Sequence, residues 1–375
     1  MGYAYTPGLT VAACTVVRKV RRLPIRGEVL VAVGQTVAAD DVVAQTELPG
    51  EARPIKVAGQ LGIAVEDLPS VMLKRAGDPV TAGEVLARTR GLFGLFRSEC
   101  RAPVDGTIES VSAVTGVVML RGRPTPLQKR AYARGTIVAV EPGESATVEV
   151  RGTFIQGIFG IGGETHGPLT MAVDRPEQVL DADRLRPEHA GAVVVGGSLV
   201  TAAAVKRAIA LGVRGIVVGG LNDADLRDFL GYELGVAITG EETLGITLIM
   251  TEGFGAIPMA RATFDLLASR AGREASINGA TQIRAGVIRP EILIPLEDAV
   301  TEAATPAAEG DSILRVGTPV RAIREPYFGR LGRCVGLPVD PVRLPSETKV
   351  RVLEVEFEDG TRAILPRANV ELIKR

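Results

Sequence analysis

Between about residues 168 and 296, short β-branched runs alternate with segments of ten to thirteen residues in which apolar positions recur every third or fourth place. Ala190–Val195, Val213–Val218 and Ile246–Met250 read as buried strands. Leu199–Leu211, Asp223–Leu234 and Ile257–Ala268 read as the helices that follow them, and Val236–Ile238 as a further short strand. Strands joined by helices of this length cross over right-handed into a parallel sheet. An α/β domain is therefore expected over residues 151–296.

Ligands of open parallel sheets bind beyond the carboxyl ends of the strands. Here those ends carry Gly196-Gly197-Ser198, Gly219-Gly220-Leu221-Asn222 and Thr251-Glu252-Gly253. Glycine lets a phosphate approach backbone amides closely, so Gly196, Gly197, Ser198, Gly219, Gly220, Asn222, Glu252 and Gly253 are candidates for a small anion or a nucleotide. The GxGxxG spacing of dinucleotide sites is absent, and glycine at these turns is equally explained by steric need. A glycine-rich passage, Gly157–Gly167, precedes this domain and offers a second anion loop or a plain turn. Within it, Glu164 and His166 are the nearest approach to an acid–base pair, without a third partner.

Residues 1–150 read as β throughout, with glycine and aspartate turns between Val/Ile/Thr runs. One phrase occurs twice, from Val31 through Gly34 and Val37 to Val43, and from Leu73 through Gly77, Val80 and Gly83 to Ala87. Each copy has a glycine turn, an inward valine, a second tight turn and a closing apolar pair. The second copy, with Ala102-Pro103-Val104-Asp105-Gly106-Thr107-Ile108, resembles the barrel-sandwich hybrids of lipoyl and biotinyl carriers over residues 65–122. The first copy belongs to the same barrel or a twin. Carriers of that family present a modified lysine on the intervening hairpin. Here it reads Arg90-Gly-Leu-Phe-Gly-Leu-Phe-Arg97, so the resemblance implies the fold without the carrier chemistry. Leu92, Phe93, Leu95 and Phe96 are open to two readings, a partner contact or packing on a neighbouring domain.

Residues 297–310 are acidic, small and aperiodic, which marks a linker. Beyond it, Val316–Val335 carries alternating residues around Pro326, Phe328, Gly329 and Gly332, and two further strands flank an Asp359-Gly360 turn. This segment, 311–375, resembles the KOW module of NusG and several ribosomal proteins, with Glu325 in place of the usual first glycine. The resemblance implies a small SH3-like β-barrel and contact with transcribing or translating machinery. Arg321, Arg324, Arg330 and Arg333 beside Tyr327 and Phe328 are then candidates for RNA phosphate and base contact, or for a protein partner. Twelve Arg/Lys stand against nine Asp/Glu over residues 311–375, a mild excess.

The whole chain carries a net charge of −1, so its charge does not select nucleic acid or a membrane surface as partner. Cys14, Cys100 and Cys334 are far apart and the two histidines form no metal pair, so no metal or cofactor is expected and a cytoplasmic home is. The start lacks the basic and apolar regions of a secretory signal, and no stretch is long enough to span a bilayer. The expected fold is thus multi-domain, β plus α/β: a barrel-sandwich hybrid, a central Rossmann-like parallel sheet and an SH3-like barrel. With no nucleophile–base pair, the reading leans away from an enzyme. It favours an adaptor binding a ribonucleoprotein or polymerase assembly through the C-terminal module. Two alternatives stay open. The order of barrel-sandwich and Rossmann-like domains is similar to soluble subunits of Rnf- and Nqr-type redox complexes, although the chain has no CxxCxxC cluster. The glycine-ended loops suit an α/β protein that binds a small anion.

Overall fold

The computed structural model describes residues 9–89, 97–222, 245–281, 288–296, 314–322, 326–327, 330–338, 340–343, 349–357 and 359–372. The expected hairpin tip at 90–96, the helix at 223–234, the strand at 236–238, the linker at 297–310, Arg324 and Phe328 lie outside these residues.

The duplicated phrase folds twice in the same way. Gly34 and Gly77 take φ of 88° and 92°, a left-handed conformation that glycine adopts without penalty. The Gly34 amide donates to the Ile137 carbonyl (2.8 Å), and Ile137 returns a bond to Gln35 (2.9 Å). Gly77 and Asp78 make the same pair of bonds with Ile108, at 2.7 and 3.0 Å. In each copy an acidic side chain closes the second turn, Asp41 accepting from the Ala38 amide and Glu84 from Thr81. Val37 and Val80 point inward at 1% and 3% exposure.

The two copies are nested. Strand Val85–Arg88 pairs directly with Glu99–Arg101, whereas Val42–Leu48 pairs with Thr125–Arg130. The inner unit, including the sheet of Ala52–Ile55, Val118–Gly122, Gly106–Val111 and Pro79–Val80, is inserted between the arms of the outer hairpin. Its own core gathers Leu68, Leu86, Ile108 and Leu120, all fully enclosed. Full burial of each such side chain is worth about 1.5–3 kcal/mol.

The outer unit does not stop at residue 150. Strand Ser145–Gln156 pairs along one edge with Val11–Arg22, and along the other with Gly135–Glu141 and then Glu291–Pro295. It therefore crosses the expected 150/151 boundary and carries the ladder into the α/β region. The result is one 13-stranded sheet. That sheet is mixed, not purely parallel as expected. Glu164–Met171, Val193–Val195, Gly215–Leu221 and Thr247–Phe254 run parallel, while Phe159–Ile161, Glu274–Asn278 and Glu291–Pro295 add antiparallel neighbours.

Alternation sorts the parallel strands between two cores. Val194, Val218 and Leu248 face Ala204, Val205 and Ala208 of helix Ala202–Leu211. Val193, Val195, Val217 and Ile249 face Phe264 and Leu267 of helix Arg261–Ser269. Both helices start later than expected. Leu199–Val200 instead pairs with Val179–Leu180, and Thr201 caps the helix by accepting from the Ala204 amide at 3.2 Å. Gly212 closes that helix at φ 74°. The first strand shortens to Val193–Val195 because a turn at Gly191 (φ 74°) precedes it, and the other two extend to Leu221 and Phe254.

The C-terminal segment forms a curled antiparallel sheet ordered Arg362–Pro366, Val352–Phe357, Leu331–Gly336, Pro319–Ala322 and Val370–Leu372. Val320, Cys334, Leu353 and Val355 fill its core. Among the described residues no helix is long and apolar enough to cross a membrane.

Candidate functional site

The three glycine-ended loops do meet on one edge of the sheet, but the chain itself fills the space a ligand would need. A Cβ on Gly197 would stand 2.3 Å from the Gln178 carbonyl oxygen. One on Gly219 would stand 2.1 Å from Ile257 O, and one on Gly220 2.0 Å from Gly255 O. Amides expected to cradle an anion already donate to carbonyls: Gly196 to Val217, Ser198 to Gln178 and Gly219 to Gly197, at 2.7–2.9 Å. The Ser198 hydroxyl, 5% exposed, donates to Glu177 O at 2.8 Å. Gly253 is buried and Asn222 exposed. Gly197, Gly219 and Gly220 therefore serve close backbone packing, and the amides of Gly196, Ser198 and Gly219 have their acceptors within the chain. Gly157–Gly167 is likewise strand, Phe159–Ile161 and Glu164–Met171, with the Gly160 amide bonded to Thr281 Oγ1 at 2.8 Å.

Glu252 has a different partner from the one its position suggested. On Pro319–Ala322, Val320 points into the C-terminal core, so strand alternation turns Arg321 the other way, toward the mixed sheet. There the Arg321 Nη2 bonds the Glu252 carboxylate, with both side chains 5% exposed. The Glu252 Oε1 also accepts from the Ala260 amide at 2.9 Å, which ties down the loop before helix Arg261–Ser269. Arg321 Nη1 lies 3.5 Å from the Thr251 carbonyl, and its Nε has no hydrogen-bond partner. Arg321 is thus withdrawn from the RNA-facing role expected of it. A candidate of the α/β site and a candidate of the C-terminal module have been spent on each other.

This pair forms part of the lining of a cleft of about 1050 Å³ between the C-terminal sheet and the mixed sheet. Its walls are mainly apolar: Val11 from the first strand, Leu266 from the helix, and Pro319, Leu331, Phe357 and Leu372 from the C-terminal sheet. The polar lining comprises Gln156, Thr251, Thr263 and the Glu252–Arg321 pair, with Arg261, Arg333 and Glu356 beside them. Arg333, also lining the cleft, is exposed. Arg330 bonds Asp359 and lies over the Phe357 ring (4.2 Å), on which Tyr327 stacks with centroids 5.1 Å apart. The Asp359 carboxyl is held below its usual range first by the Thr361 amide and hydroxyl, then by Arg330.

Glu164 and His166 share one face of their strand yet bind elsewhere. Glu164 takes both terminal nitrogens of Arg21 at 2.6 and 2.7 Å. His166 sits between two carboxylates, Nε2 3.0 Å from Asp40 and Nδ1 3.1 Å from Glu274. They are therefore no acid–base pair with each other. The Asp40 carboxyl is held below its ordinary value chiefly by His166, with Arg130 adding to it against some desolvation. Sequence reasoning missed Asp40, Arg130 and Tyr132, because the strands that unite them are far apart in the chain. Among the described residues no group of three or more His, Cys, Asp or Glu is arranged to hold a metal ion. Neither protein-family models nor curated proteins give a match to the chain.

Proposed function

We propose that the chain is a binding protein for an elongated, mainly apolar small molecule with a hydrogen-bond acceptor at one end, held in the cleft beside Arg321. The observation that carries this reading is the cleft itself. At about 1050 Å³ it lies just above the size range of most small-molecule sites, roughly 300–1,000 Å³, and it shares their mainly apolar walls with convergent polar groups. Burying about 200 Å² of ligand carbon there would supply about 5 kcal/mol before the costs of immobilisation. The SH3-like fold suggested for the C-terminal sheet is compatible with this use, because one face packs its own core and the other is free to form a wall.

The test is fluorescence titration of the full chain with anilinonaphthalene sulfonate, an apolar probe bearing one acceptor group. One-to-one binding is expected, weakened about tenfold or more by Ala262→Trp, which fills the cleft from an exposed helical position. No binding, or binding that Ala262→Trp leaves unchanged, removes the reading.

The adaptor reading stands second, favoured by one observation. Arg333 is exposed and, among the described residues, without an ion-pair partner, next to the Arg330–Phe357–Tyr327 stack. An Arg–aromatic surface of this kind suits RNA or an acidic partner. Recovery of ribosomal or polymerase proteins by the full chain, lost with Arg333→Glu, would support it, and recovery unaffected by that change would not.

A further inference from the structure

We infer that a second binding site, for phosphate or a small molecule presenting one, lies where the outer repeat meets the mixed sheet. A cavity of about 340 Å³ opens there, well apart in chemistry from the apolar cleft. Arg21, Lys129, Arg130 and Arg214 line it, against the carboxylates of Asp40 and Glu164, so cations outnumber anions two to one. Concentration of one sign of charge in a concave wall is what draws a small anion.

The arginines are fixed in advance. Arg21 is gripped by both oxygens of Glu164 and by the Arg130 carbonyl, Arg130 by Asp40 Oδ1 at 2.8 Å, and Arg214 by the His166 carbonyl at 2.9 Å. Holding a guanidinium in place beforehand removes the entropic cost of ordering it on binding. Lys129 is the exception. It is half-buried on the cavity wall and, among the described residues, makes no ion pair. An anion here would complete its coordination, take up the remaining Arg214 N–H groups and leave the two internal carboxylate pairs intact.

Tyr132 gives an independent sign that this place is specialised. It is the only non-glycine among the described residues with a positive φ, 79°, and it is 4% exposed. Its buried hydroxyl makes no geometrically sound hydrogen bond, the Glu291 carboxylate being its neighbour. Backbone strain of this kind persists where the surroundings over-determine it, which is the habit of binding sites. Lys19 and Arg21 lie over its ring at 5.9 and 5.7 Å, each paired with a carboxylate, Glu291 and Glu164, so the ring is held by both cations. In the inner repeat the matching place after Ala102 is Pro103, without the strain. The departure from the repeat thus falls at the cavity.

Calorimetric titration of the full chain with inorganic phosphate, at ionic strength matched with chloride, tests the inference. Saturable single-site binding with a dissociation constant below about 1 mM is expected. Lys129→Gln and Arg214→Gln should each weaken it about tenfold, Lys129→Arg should restore it, and Ala262→Trp in the cleft should leave it untouched. Absence of saturable binding, or a Lys129→Gln variant that binds phosphate as the parent does, overturns the site. Circular dichroism of the two half-exposed or exposed variants separates lost binding from lost folding.

Discussion

Glu252 and Arg321, 69 positions apart, form a buried ion pair that fastens the C-terminal sheet to the mixed sheet. Two desolvated charges are costly, and their attraction offsets the cost only while both are present. Glu252→Gln or Arg321→Met alone should therefore destabilise the fold by about 3–5 kcal/mol in chemical denaturation. The double variant Glu252→Gln/Arg321→Met, which keeps an acceptor for the Ala260 amide, should recover most of that loss. Single variants near the parent's stability would show that the pair is not enclosed as described.

Gly219→Ala and Gly220→Ala place a methyl group against backbone carbonyls at 2.1 and 2.0 Å. Each should cost about 3 kcal/mol or more in unfolding free energy, because backbone cannot yield as a side-chain tip can. Gly59→Ala, in helix Val57–Leu61 with nothing closer than 4.0 Å, should instead stabilise by about 0.5–1 kcal/mol. Equal effects at all three positions would contradict the packing role given to the sheet-edge glycines.

Asp40 sets the sign of one pH effect. Its folded-state value lies below the ordinary 3.8, so its contribution to stability is complete above about pH 4 and disappears as pH falls through the lowered value. Asp40→Asn should flatten this part of the acid limb in a pH series of urea melts. At neutral pH it should lower stability by the same amount that the parent loses along this limb, a small one because the carboxylate is largely exposed and screened. An acid limb identical to the parent's would exclude the role assigned to its His166 and Arg130 contacts.

Tyr132→Phe removes a buried hydroxyl that the Glu291 carboxylate neighbours only outside hydrogen-bonding geometry. The variant should be more stable by about 1 kcal/mol, where most buried Tyr→Phe changes destabilise. In the parent, burial raises the Tyr132 phenol well above its usual range, with the Glu291 and Glu164 carboxylates next in effect. Spectrophotometric titration should therefore find one tyrosine protonated until the fold opens. Destabilisation by Tyr132→Phe would mean that the hydroxyl is satisfied.

What was legible in the chain was local. The repeated phrase announced its turns because Gly34, Gly77, Asp41 and Glu84 act within a few residues of themselves. The apolar runs at 193–195, 215–221 and 247–254 announced strands because every face of them is buried. What was hidden was pairing at a distance. Nothing near Ser145–Gln156 says that it will join Val11–Arg22 to Glu291–Pro295 in one ladder, so residue patterning places a boundary through its middle. Arg321 reads as an exposed cation beside aromatics, since the carboxylate that buries it, Glu252, is 69 positions away in the chain. The helix Arg261–Ser269 begins four residues later than expected because the chain stays out of helical geometry as far as Ala260, whose ψ is 130°.

Strand Ser145–Gln156 carries a consequence for synthesis. Half of one edge stays bare until Glu291–Pro295 has left the ribosome. At the usual five to twenty residues per second, that wait is roughly 7 to 27 s. For that interval a nascent chain holds a long, apolar strand with an unpaired flank, a template for any other extended chain nearby. Expression yield should therefore depend on holdase chaperones engaged before the α/β region is complete, and slowing translation after residue 156 should aggravate aggregation rather than relieve it.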